Sequence, residues 1–232
     1  MKALIVAAGK GNRLRPLTET IPKALIEIEG EPLINRSVRI LQSNNIEEIT
    51  VVVGYKHQKI RDILGNSVQY VINPDFSTTN NMASMEAGME IIGNNSFMYL
   101  HGDIWYEPSI ISLALKQKGP LSFLVDKKVC GEEEMKVRVV DGFITEADKS
   151  IAIEEAYGEW LGIAKFDSDG SKIYRKAIKQ TLITQKQEYD CSVISDLVLK
   201  GLCVQCVPIG NRKWIEIDFI EDVIEAKRIA SS

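Results

Sequence analysis

The chain has 232 residues, a formal net charge of −4 with both signs interspersed, two histidines and four cysteines. A single domain of this size can bury roughly 70 per cent of its unfolded surface without staples, and the mild, mixed charge excludes a sequence-independent nucleic-acid binder or a basic membrane-surface protein. No apolar run reaches membrane-spanning length and the first strand begins at once, without a charged-then-apolar leader, so the expected location is the cytoplasm. Cys130, Cys191, Cys203 and Cys206 suit that compartment as free thiols. The Cys203–Cys206 pair has no second pair or histidines at metal-ligand spacing, and reads as small hydrophobes in or beside a strand.

In chain order, Leu4-Ile5-Val6 has the continuous, β-branched character of a strand buried on both faces. Gly9 and Gly11 then free the backbone for a sharp turn and a close ligand approach, and Arg13, Arg15 and Lys23 add cations just beyond it. Backbone donors with cations make a phosphate site. Two glycine-loop types are excluded by their letters. A dinucleotide fingerprint wants a small residue where Leu14 stands, and a P-loop wants Gly-Lys-Ser/Thr where Leu14-Arg15-Pro16 stands.

Further along, a short strand is expected over Ala24–Ile28, a helix over Leu33–Ser43, a strand over Ile49–Val53, a helix ending near Leu64 and a strand over Val68–Ile72. A polar loop from Asn73 to Asn81, in which Thr79 or Asn80 suits a cap, opens a helix over Met82–Ile92 whose methionines pack into the core. Ser96–Leu100 is a strand delivering His101-Gly102-Asp103; Asp103, a carboxylate at a strand end beside a phosphate loop, is placed to hold a divalent cation, and His101 reads as structural. After a strand over Leu121–Val125 the text becomes turn-rich, with a hairpin about Asp141-Gly142. Residues of about 126–160 thus form a small β-rich lobe over the site, where an acceptor binds. A strand over Gly158–Phe166, helices over Gly170–Leu182 and Ser192–Lys200, a strand over Val204–Pro208 and a closing helix from Ile220 complete the chain. Alternation puts Trp214, Glu216 and Asp218 on one face; Asp218 is either a second metal ligand or the cap of the last helix. The whole chain reads as one α/β domain, a Rossmann-like, mostly parallel mixed sheet flanked by helices.

GKGNRLRPLTETIPK, residues 9–23, resembles the signature of nucleotidyltransferases that activate small phosphates with a nucleoside triphosphate. In the second half, DKKVCGEEEMKVRVVDGFITEADKSI, GEWLGIAKF and WIEIDFIEDVIEA are similar to choline-phosphate cytidylyltransferases and to those that activate 2-aminoethylphosphonate. The resemblance implies a nucleotide-diphospho-sugar-transferase-like fold, CTP as donor, Mg2+ as cofactor and a small phosphate or phosphonate acceptor bearing an amine. It implies a nucleotide site at Ala7, Ala8, Gly9, Gly11, Asn80, Asn81, Ser84 and Gly102, catalysis by Lys23 beside the α-phosphate with Arg13 neutralising the triphosphate, and a metal at Asp103 and Asp218.

An anionic acceptor oxygen attacking the α-phosphorus needs no general base, so neutralisation and alignment are the expected means of catalysis. An ammonium on the acceptor favours carboxylates and aromatic faces, for which the candidates include Asp126, Glu159, Trp160 and Glu216, with Lys127, Lys128 or Lys136 able to meet the phosphorus group; Lys136 and Glu159 fall inside the motifs that carry the resemblance. A sugar-1-phosphate nucleotidyltransferase and a non-catalytic nucleotide-binding regulatory module are the alternatives; the expected state is a monomer or a homodimer.

Overall fold

In the computed structural model, which describes residues 1–231, the N-terminal apolar run is β1 (Lys2–Ala7). Ala3, Ile5 and Ala7 join one core and Leu4 and Val6 another, as expected of a strand covered on both faces. A long loop leads to the two-residue strands β2 (Glu27–Ile28) and β3 (Glu31–Pro32). Of the strand expected over Ala24–Ile28, Glu27 and Ile28 are extended as β2, while Ala24 and Leu25 belong to a 3-10 turn at Lys23–Leu25, closed by Leu25 N–H donating to the Pro22 carbonyl at 2.9 Å. That turn buries the Lys23 stem.

α1 (Leu33–Ser43), β4 (Ile49–Val53), α2 (His57–Leu64), β5 (Gln69–Ile72), α3 (Asn81–Ile92) and β6 (Phe97–His101) follow close to expectation. The sequence reading passed over β7 (Ile104–Tyr106) and α4 (Ser109–Leu115), elements too short to show a period. Then come β8 (Leu121–Asp126), β9 (Lys136–Val140), β10 (Phe143–Asp148), β11 (Gly158–Phe166), α5 (Ser168–Leu182), α6 (Ile194–Leu199), β12 (Val204–Pro208), β13 (Trp214–Glu216) and α7 (Ile220–Ala230). No helix among the described residues is long and apolar enough to cross a membrane.

The main sheet has nine strands in the order β5-β4-β1-β6-β11-β8-β12-β10-β9. β5, β4, β1 and β6 run parallel, β11 lies antiparallel between β6 and β8, and β12 is parallel to β8. The chain builds outward from β1 to β4 and β5, then returns to β1's other side at β6. That reversal makes the switch point at which α/β sheets bind ligands beyond the carboxyl ends of their strands.

β9 pairs with β10 and also with the first residues of β11, so hydrogen bonding runs in a closed ring through β11, β8, β12, β10 and β9. The β9–β10 hairpin turns through Asp141 and Gly142, both at positive φ, as a two-residue hairpin requires. Segment 126–160 is thus continuous with the main sheet.

α1, α2 and α4 cover one face, and α3, α5 and α6 the other. Met82, Met85 and Met89 all lie in the second core. Gly88 lets α3 press on the sheet: a Cβ there would strike Leu4 Cδ1 and approach Val52 Cγ2 to 2.9 Å. Gly88→Ala is expected to destabilise the protein by about 1–3 kcal/mol through overpacking; an unchanged urea midpoint would show that α3 can shift without cost.

Candidate active site

Three chain segments meet at the switch point. In the loop after β1, Gly11 is left-handed (φ +63°), and a Cβ on it would come within 3.1 Å of both Lys23 Cβ and Thr18 Cγ2. The Thr18 hydroxyl donates to the Gly11 carbonyl at 2.6 Å, folding the loop onto Lys23. At the end of β6, Gly102 N–H donates to the Val6 carbonyl at 2.9 Å, and a Cβ at Gly102 would meet Ala7 Cβ at 2.9 Å. β13 pairs antiparallel with β7, and Ile217 N–H donates to the Asp103 carbonyl at 3.0 Å. This ladder carries Glu216 and Asp218 from the far end of the chain to Asp103.

Lys23, only 9% exposed, is the hub. Its Nζ lies 2.8 Å from Asp103 Oδ2 and 2.5 Å from Asp218 Oδ1, while Arg13 Nη2 donates to Asp218 Oδ2 at 2.7 Å. Arg13 also stacks 4.9 Å from the Phe219 ring centroid and lies 3.5 Å from Glu133. Burial by itself would lower Lys23, but the carboxylates of Asp103, Glu216 and Asp218 outweigh it and hold the ammonium above the ordinary lysine value. Burial likewise opposes the charge on Asp103, and Lys23 and His101 overcome it. Glu216, pushed up by burial and by Asp103 against the pull of Lys23, stands at about 7.

This donor set fits a hard divalent cation. Asp103 Oδ1 is buried and has no hydrogen-bond partner among the described residues, and ligand atoms of His101, Asp103 and Glu216 lie within 4.8 Å of one another. Asp218 does not cap α7. Asp222 does that work, accepting from the Asp218 and Phe219 N–H groups at 2.8 and 2.7 Å, which leaves the Asp218 carboxylate to the site.

Behind this cluster lies a second buried one that the sequence did not reveal. Asp190, 1% exposed, accepts from His101 Nε2 at 2.8 Å and from the Tyr99 hydroxyl. Burial alone would lower His101, and Asp190 outweighs it, lifting the imidazole to about 9. The Asp190 N–H donates to Asn81 Oδ1 at 2.9 Å. Nothing in a single sequence pairs Asp190 with a histidine 89 positions away.

The cleft at these strand ends has a volume of about 310 Å³. Its lining includes a polar set at Ala8, Gly9, Asn73, Thr79, Asn80 and Ser84, with Phe76; the ionic hub, with Glu216; and a set that bears aromatic rings at Glu133, Met135, Lys149, Trp160 and Tyr189. Of the expected nucleotide residues, Ala8, Gly9, Asn80, Asn81 and Ser84 line it, while Ala7, Gly11 and Gly102 stand behind it as packing positions. Of the expected acceptor residues, Trp160 and Glu216 line it.

Three others are engaged elsewhere. Lys136, 1% exposed, donates to the carbonyls of Gly131 and Glu132 at 3.1 and 3.0 Å, which holds the preceding loop. Glu159 pairs with Lys128 at 2.6 Å, and Asp126 accepts from Trp214 Nε1 at 3.0 Å. None of these three reaches the cleft lining, because its polar end is already held by an internal partner. Lys149, 5.5 Å from the Tyr189 ring centroid and 3.9 Å from Glu133, takes the place expected of Lys136 as the lining cation of that group.

A family model described as a MobA-like NTP transferase domain matches residues 3–122, about half of the chain. The chain is 26% identical over 248 residues to a CTP:phosphoglutamine cytidylyltransferase of Campylobacter jejuni, covering 96% of this chain and 98% of that protein. It is 23% identical over 240 residues to a CMP-5'-(3-aminopropyl)phosphonate synthase of Streptomyces rubellomurinus, a longer protein of which it spans 37%. The fold is that of the CTP:phosphocholine cytidylyltransferase of Streptococcus pneumoniae, with a TM-score of 0.75, 22% identity and coverage of 99% of this chain and 98% of that one.

Proposed function

We propose, from the premise that this chain belongs to the MobA-like NTP transferase domain family and is a nucleotidyltransferase, that it transfers CMP from CTP to a small phosphorylated or phosphonylated acceptor bearing an amine. The observation that carries the reading is the hub: Lys23 and Arg13 held by carboxylates in a cleft that polar and aromatic residues also line.

An oxygen of the acceptor's phosphate or phosphonate forms a bond to the α-phosphorus of CTP. The bond from that phosphorus to the bridging oxygen breaks, and pyrophosphate leaves with the electron pair. No proton moves, so the site needs cations in place of a base. Lys23 faces the α-phosphate and Arg13 the β- and γ-phosphates, while the loop at Ala8 and Gly9 offers backbone N–H groups. Asp103, Asp218 and Glu216 would hold Mg2+, which when bound would add charge neutralisation on the triphosphate. The base enters the polar group beside Ser84, and the acceptor's amine lies against Trp160 and Tyr189, where cation–π contact contributes roughly 0.5–2 kcal/mol.

The test is magnesium-dependent pyrophosphate release with each common nucleoside triphosphate against choline phosphate, 2-aminoethylphosphonate, inositol phosphate and glucose 1-phosphate. Turnover confined to CTP and an amine-bearing acceptor is the expected result. Turnover with glucose 1-phosphate alone would move the protein to the sugar-1-phosphate nucleotidyltransferases.

A further inference from the structure

Asn73 ends β5, with its backbone N–H donating to the Val53 carbonyl at 2.8 Å. Its side chain, 5% exposed, lines the cleft. Asn73 Oδ1 accepts the Asp75 backbone N–H at 3.0 Å. A backbone amide can only donate, so this contact fixes which way round the carboxamide lies. The NH2 then points to two hydroxyls, Ser84 Oγ at 3.0 Å and Thr79 Oγ1 at 3.4 Å.

Both hydroxyls therefore accept from Asn73, and each has one proton left to give. Thr79 gives its proton to the Asp75 carbonyl at 2.9 Å. Ser84 is 4% exposed and lines the cleft, and among the described residues its proton has no acceptor. A ligand acceptor would satisfy it. A ligand donor would take the remaining lone pair and strand the proton in a buried place, the costly half of a hydrogen-bond mismatch.

We infer that Asn73 is the positioning residue for nucleobase choice: by filling one lone pair of Ser84 it presents that hydroxyl as a donor toward ring position N3 of the base, which suits a base with an acceptor there. Cytosine has a bare N3 there; uracil and thymine carry N3–H. The inference rests on the reading above that the base enters beside Ser84, and it adds the reason for cytosine that the resemblance alone does not supply.

The test exchanges one atom. Asn73→Asp keeps the shape but replaces the NH2 with an acceptor, so Ser84 turns its proton to the new carboxylate and offers only lone pairs to the base. Binding of CTP and UTP is measured by calorimetry with Mg2+ and no acceptor, which makes the result independent of the acceptor's identity. Wild type is expected to prefer CTP roughly ten- to a hundredfold, N73D to lose or reverse that preference, and Ser84→Ala to lose it. In the S84A background, N73D should leave the ratio unmoved.

Equal weakening of both nucleotides by N73D is what a structural role alone predicts, and it overturns the inference. So does wild-type protein that binds UTP as tightly as CTP. If N73D does not fold, S84A reads the same hydroxyl, and an unchanged ratio there overturns it equally. Failure of folded wild type to bind any nucleoside triphosphate overturns the underlying reading instead.

Discussion

Lys23→Ala is expected to lower turnover by about 10²–10³-fold, the loss typical when one preorganised donor to a developing charge is removed, while nucleotide affinity falls far less. The distinction follows from position. Lys23 lies 2.8 and 2.5 Å from Asp103 and Asp218, where the reacting phosphorus would sit, whereas the polar lining at Asn73, Asn80 and Ser84 is untouched by the change. Single-turnover rates together with calorimetric binding separate the two effects; equal losses in both would contradict the assignment. Lys23 is also the buried cation among three carboxylates, so the variant's thermal midpoint should be followed alongside to establish that it is folded.

Asp190→Ala is expected to cost about 3–5 kcal/mol of stability, because it leaves two buried donors without an acceptor, each costing roughly 1–3 kcal/mol. Removal of the carboxylate strands the His101 ring and the Tyr99 hydroxyl, while the bond from the residue 190 backbone N–H to Asn81 Oδ1 survives. Gly162 shows how closely His101 is held: it lies at φ +74°, and a Cβ there would strike the imidazole. At roughly 2–4 °C per kcal/mol for a chain of this size, thermal unfolding should come about 10 °C lower or more. A midpoint within 2–3 °C of wild type, about 1 kcal/mol, would show that the pair is not a major support.

Much of this arrangement is legible in the letters because it is local. β1, its glycine loop and Lys23 form one uninterrupted stretch, and the alternation of apolar runs identifies β4, β6 and β8 and the helices beside them. What the letters concealed depends on partners far away in sequence. The Lys136 ammonium reads like an acceptor ligand until the carbonyls of the loop beside it are seen to take it as their donor, and Glu159 reads likewise until Lys128 is found beside it. His101 reads as structural, which its hydrogen bond to Asp190 supports, but it also lines the cleft. Ala24–Ile28 looks like a strand because its apolar residues are buried; a 3-10 turn buries them as well.

The ladder between β7 and β13 has a consequence in time. Asp103 is synthesised near the middle of the chain and Asp218 close to its end, while β12, from residues 204–208, must slot between β8 and β10 to complete the ring. The parallel strands from β1 to β6, with Asp103 just beyond β6, can assemble from early, contiguous sequence, but Asp218, the second aspartate against Lys23, lies 195 positions after it and joins later, since long-range pairings form after local ones. A nascent chain can therefore hold the glycine loop with its lysine paired to Asp103 alone, and the ionic hub is completed only when β13 joins β7.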